Sequence, residues 1–117
     1  MNELRTALEA SADDTEVDIR SFDSNGLSLA VNVASRGNEK WLLRVKEVIH
    51  LDMSPSFTLG QVEFGRMDLL ADSYVRLRNF NYGGDINKYR VIKFTDIDGK
   101  NHIVVFYGEE DFVKVSV

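Results

Sequence analysis

The chain contains no cysteine, which excludes a disulfide framework, a thiol nucleophile and any cysteine-based metal site. Proline occurs once, at Pro55, and no proline-rich, repetitive or low-complexity tract divides the sequence. Histidine occurs twice, and neither copy sits in a two-ligand motif such as H-E-x-x-H, so no zinc site is expected. No stretch approaches the roughly 18 apolar residues of a membrane span. The first nine residues, Met-Asn-Glu-Leu-Arg-Thr-Ala-Leu-Glu, lack the apolar centre of a signal peptide. A cytoplasmic location without membrane contact is the expectation. G-x-S-x-G, a phosphate-cradling loop, a dinucleotide fingerprint and EF-hand spacing are all missing, so neither a cofactor nor a metal is expected. The balance leans against an enzyme.

What is present is an ordinary globular composition. The 117 residues are 44% hydrophobic, 28% charged and 10% aromatic, enough for one domain, 1–117, that buries roughly two-thirds of its unfolded surface. The formal net charge is −5. Such a field disfavours nucleic acid and anionic lipid as partners, keeps the chain soluble, and steers a basic partner inwards.

Hydrophobic spacing predicts one short helix followed by strands. Leu4, Ala7, Leu8 and Ala12 fall on one helical face, with Asn2 as the cap and Asp13-Asp14 as the stop. Val17 and Ile19 alternate with Asp18 and Arg20, and Leu27, Leu29, Val31 and Val33 alternate with small or polar residues. Asp23-Ser24-Asn25-Gly26 between them reads as a hairpin turn. Residues 41–53 form a long, bent strand with Trp41, Leu43, Val45, Ile49, Leu51 and Met53 on its apolar face. Glu47 interrupts that face and marks the bend. Residues 57–64 resume β spacing, 67–80 fit either a helical or a strand period, 79–88 read as a loop, and 112–117 form a last strand. Glu109-Glu110-Asp111 is expected as a solvated turn before it.

Residues 89–107 describe a hairpin. With Asp98-Gly99 as a two-residue type I′ turn, Thr95 faces His102, Phe94 faces Ile103 and Ile92 faces Val105. Ile92, Phe94, Ile103 and Val105 then share one face, with His102 at the exposed end of the other. Short links between strands imply antiparallel neighbours. The expected fold class is therefore α+β, mostly antiparallel β: one short N-terminal helix, then seven or eight strands in a curved sheet, sandwich or partly open barrel.

Three constellations bear on function. His50 and Asp52 lie two apart on the more polar face of their strand, where an aspartate could orient a histidine base. Two polar residues at that spacing also arise on any solvated face. Arg76, Arg78, Tyr82, Lys88 and Arg90 make residues 74–90 locally basic and aromatic within an acidic chain, which suits a carboxylate-bearing ligand, an acidic protein or a single strand of nucleic acid. An RNP-type pattern is missing, which places nucleic acid last. The final strand could join a neighbouring sheet. The leading expectation is a small, soluble, non-catalytic binding protein acting through a protein partner or as a homodimer, one version being an acidic inhibitor or immunity-like protein. The alternative is a small-molecule carrier or enzyme with a pocket in the curved sheet, lined by Trp41, Phe57, Phe94 or Tyr107 and using His50 and Asp52.

Overall fold

The computed structural model describes residues 15–33, 39–66 and 89–115. They form eight strands: β1 (Thr15–Asp23), β2 (Gly26–Val33), β3 (Glu39–Val45), β4 (Val48–Asp52), β5 (Ser56–Arg66), β6 (Arg90–Asp96), β7 (Asn101–Phe106) and β8 (Glu110–Lys114). All eight belong to one sheet in the order β4-β7-β6-β5-β1-β2-β3-β8, with every neighbouring pair antiparallel. Among the described residues the fold is all-β, with no helix. The helix expected over residues 2–12, the ambiguous 67–80 and the loop 79–88 lie outside them.

Alternation sets the core. The inward residues of β2 (Leu27, Leu29, Val31, Val33) and of β3 (Trp41, Leu43, Val45) are buried, and join Val17, Phe57, Leu59, Val62, Ile92, Phe94, Val104 and Phe106 in one apolar cluster. Leu51 of β4 and Phe112 of β8 pack against that same cluster although their strands end the sheet order. The sheet therefore curls, bringing its two ends to one core. The opposite face is also buried at Val91, Ile103 and Val105, as expected for a hairpin inside a larger sheet.

The β1–β2 hairpin closes through Ser24-Asn25, with Asp23 paired to Gly26 and the Asp23 carboxylate accepting the Asn25 N–H. The β6–β7 hairpin departs from expectation by one residue. Phe94 pairs with His102, Ile92 with Val104 and Thr95 with Asn101. The physical reason lies in Asp96, whose Oδ1 accepts the N–H groups of both Asp98 (2.9 Å) and Lys100 (3.0 Å). Only Gly99 has a positive φ, at 86°, whereas a type I′ turn requires one at Asp98 as well. The loop is thus Ile97-Asp98-Gly99, a three-residue turn ending in a left-handed glycine. A slip of one residue exchanges faces. His102 moves into the core, fully buried, while Ile103 and Val105 move to the opposite face.

Two further corrections follow the chain. Residues 41–53 divide at Lys46-Glu47, and a register shift between Val48 and His50 turns Ile49 outwards, 42% exposed. Val48 takes its place against the core. Glu110 and Asp111, expected in a solvated turn, pair within β8 with Val45 and Arg44, and the Arg44 guanidinium bonds the Asp111 carboxylate.

Candidate interaction site

The links β3–β4 and β7–β8 join strands that lie at opposite ends of the sheet order. Each pair is one bent run of chain, and the two bends pair with each other. Lys46 N–H donates to the Glu109 carbonyl (2.9 Å), Gly108 N–H to the Lys46 carbonyl (3.2 Å) and Tyr107 N–H to the Glu47 carbonyl (2.9 Å). The approach is close enough that a Cβ on Gly108 would stand 2.7 Å from the Lys46 carbonyl oxygen, which requires glycine there. Glu47 makes the other bend with φ 55°, the sole non-glycine positive φ among the described residues. For an L-residue with a long side chain that conformation costs about 1–2 kcal/mol.

The corner so formed presents Lys46, Glu47, Tyr107 and Glu109 to solvent around a cleft of about 380 Å³. Tyr107 is 47% exposed, and its ring makes a T-shaped contact with that of Tyr89, with centroids 5.6 Å apart. Two glutamates from separate bends and an exposed tyrosine therefore line one cleft, together with Lys46. Carboxylates take charge-assisted hydrogen bonds from arginine or lysine, and the phenol ring takes the cation on its face. Tyrosine is also among the residues enriched at energetic centres of interfaces.

Arg90 sits behind this corner. Its Nη2 donates to the Gly108 carbonyl, Nη1 lies 3.9 Å from Glu110, and the guanidinium carbon stands 5.0 Å from the Phe106 ring centroid. Those contacts tie Arg90 to the β7–β8 bend. Arg66 is its cross-strand neighbour, and the two flank a smaller cleft of about 240 Å³ with Phe64, Gly65, Val91 and Glu110. Arg76, Arg78, Tyr82 and Lys88 lie outside the described residues.

His50 and Asp52 are half-buried on β4, paired with Val105 and Ile103. Their neighbour Leu51 pairs with the core residue Val104, so alternation directs His50 and Asp52 away from the concave face. Trp41 and Phe57 are packed into the core cluster, and Tyr107, expected to line an interior pocket, faces solvent. The cleft across the outer side of β1, β2 and β3 is larger, about 470 Å³, but alternates Asp18 and Arg20 with Lys40. Trp41, which borders it, keeps only 7% of its surface exposed. Among the described residues no group of three or more His, Asp or Glu is placed to hold a metal ion.

The group that sequence reasoning placed elsewhere is His102 with Asp96. The imidazole stacks on Phe57 (centroids 3.8 Å, planes 4° apart), and its Nε2 meets Asp96 Oδ2 at 2.8 Å. That hydrogen bond from His102, helped by the backbone N–H groups of Lys100 and Asp98, holds the Asp96 carboxyl below its ordinary pKa. The signal available in the sequence was Asp96 itself, two residues before Asp98-Gly99 and able to cap the turn. Comparison with family models, with curated proteins and with solved structures finds no match.

Proposed function

We propose that this chain is a small non-catalytic binding protein, built on a partly open barrel, that docks a basic protein surface at the Glu47–Tyr107–Glu109 corner, in the manner of an acidic inhibitor or immunity-like protein. The observation that carries the reading is Glu47 at φ 55°. A glycine or asparagine would form the same bend at lower cost. A carboxylate at that position has its use in what it faces, and it faces outwards beside Tyr107 and Glu109. The net charge of −5 adds long-range attraction for a cationic partner. His50 and Asp52 do not enter this reading, because they lie on neither the concave face nor the corner.

The test uses an arginine-glycine repeat peptide as a cationic probe and two double variants of equal charge change. Glu47→Lys with Glu109→Lys reverses the corner, and Asp18→Lys with Asp98→Lys reverses two exposed acids elsewhere. The corner pair should weaken binding by about tenfold or more and the distal pair by about twofold or less. Equal loss from both pairs would reduce the effect to net charge and leave the corner without a part in binding.

A further inference from the structure

His102 joins three separate parts of the chain. Its Nε2 contacts Asp96 at the end of β6, its ring stacks on Phe57 of β5, and its Nδ1 accepts the backbone N–H of Ser54 at 3.1 Å. A backbone N–H can only donate, so Nδ1 carries no proton and the hydrogen resides on Nε2, directed at the Asp96 carboxylate. The bound form is therefore the neutral Nε2–H tautomer. Ser54 lies in the link between β4 and β5, and its Oγ receives Lys100 Nζ at 3.2 Å, while the adjacent Pro55 carbonyl accepts the Ile19 N–H at 2.8 Å. β4 itself is only five residues long, ends the sheet order, and carries a register shift between Val48 and His50.

From these contacts we infer that His102 is an acid-sensitive latch: protonation at Nδ1 expels the Ser54 N–H and frees the C-terminal end of β4 from β7 while the rest of the sheet stays folded. A proton on Nδ1 would place two donors face to face at hydrogen-bond distance, which no rotation of a ring stacked on Phe57 relieves. The exchange is local. On the other side of the ring the Nε2–H bond to Asp96 persists in both states, so the hairpin keeps its anchor. The titratable and charged groups carried by the surrounding elements include Arg90, Lys93 and Asp96 on β6, Asp98 and Lys100 in the turn, His50 and Asp52 on β4, Glu63 and Arg66 on β5, and Glu16 of β1, which reaches β5 through the Thr58 hydroxyl at 2.8 Å.

Nuclear magnetic resonance of the whole chain tests the latch, with the ring nitrogens of His102 and the exchange of the Ser54 amide followed together through a pH titration. The neutral form should show the Nε2–H tautomer. On acidification, protection of the Ser54 amide should fall about fivefold to tenfold, the worth of one hydrogen bond, at the midpoint of His102 protonation and with Leu29 of β2 still protected. Asp96→Asn should move both events to lower pH together. Protonation of His102 without loss of protection at Ser54, an Nδ1–H tautomer at neutral pH, or a Ser54 amide released only with global unfolding would each overturn the inference.

Discussion

Glu47 holds a backbone conformation that glycine adopts without steric cost, and its carbonyl is fixed by the Tyr107 N–H. Replacing it isolates strain from side-chain chemistry. Glu47→Gly is expected to raise stability by about 1 kcal/mol, read as an upward shift of the urea midpoint at unchanged slope. The same change should weaken binding of the cationic probe, since it removes one of the two corner carboxylates. Destabilisation by Glu47→Gly would mean that the side chain supports the bend. Asp96 gives a second expectation through its lowered pKa, caused first by the His102 hydrogen bond and then by the N–H groups of Lys100 and Asp98. A depressed folded value means that the stabilisation is complete above the unfolded aspartate value of about 3.9 and is lost as pH falls through the lower folded value. Between about pH 5 and about pH 2 the wild-type urea midpoint should therefore fall further than that of Asp96→Asn. Parallel curves for the two proteins would deny Asp96 this part.

The β6–β7 turn and the β7–β8 bend each need a glycine for a different reason, and substitution separates them. Gly99 has φ 86°, and a Cβ placed there would meet no atom within 4 Å, so its requirement is conformational. Gly108 meets the Lys46 carbonyl at 2.7 Å, so its requirement is space. Alanine should cost about 1–2 kcal/mol at Gly99 and about 1–3 kcal/mol at Gly108. Asparagine should recover part of the loss at Gly99, where it tolerates a left-handed backbone, and none at Gly108; chemical denaturation of the four variants reads the difference. These elements also show what the sequence discloses. Alternation in β2 and the Asp23–Gly26 turn located a hairpin and its buried face, because the apolar set Leu27, Leu29, Val31 and Val33 can face only one way. In β6–β7 both faces carry apolar residues, so either register buried a reasonable set, and the decision passed to the Asp96 side chain. A choice made by one capping carboxylate leaves little trace in hydrophobic spacing. Glu47 was legible as a bend because it breaks an apolar face, yet Ile49 was misplaced because a bulge alters the count after it.

Over the whole molecule, the strand order β4-β7-β6-β5-β1-β2-β3-β8 follows from the two bends. Short links announce antiparallel neighbours, and β1–β2 and β6–β7 obey. The links Lys46-Glu47 and 107–109 are as short, but each continues a strand around the curl instead of reversing it, and spacing alone does not distinguish the two. The corner of Glu47, Tyr107 and Glu109 exists only because those bends meet, and sequence spacing, which places Glu47 at a bend and Tyr107 on a pocket wall, does not join the two. The net charge of −5 acts over the whole surface, so association with a cationic probe should slow as salt rises, whereas the location of contact should not change. Location is what separates a docking corner from a diffuse acidic surface. Amide chemical-shift mapping during titration with the arginine-glycine peptide reads it residue by residue: the largest changes are expected at Lys46, Glu47, Val48, Tyr107, Gly108 and Glu109, persisting at raised salt. Changes spread over exposed acids such as Asp18, Asp23 and Asp98 and erased by salt would contradict a docking corner.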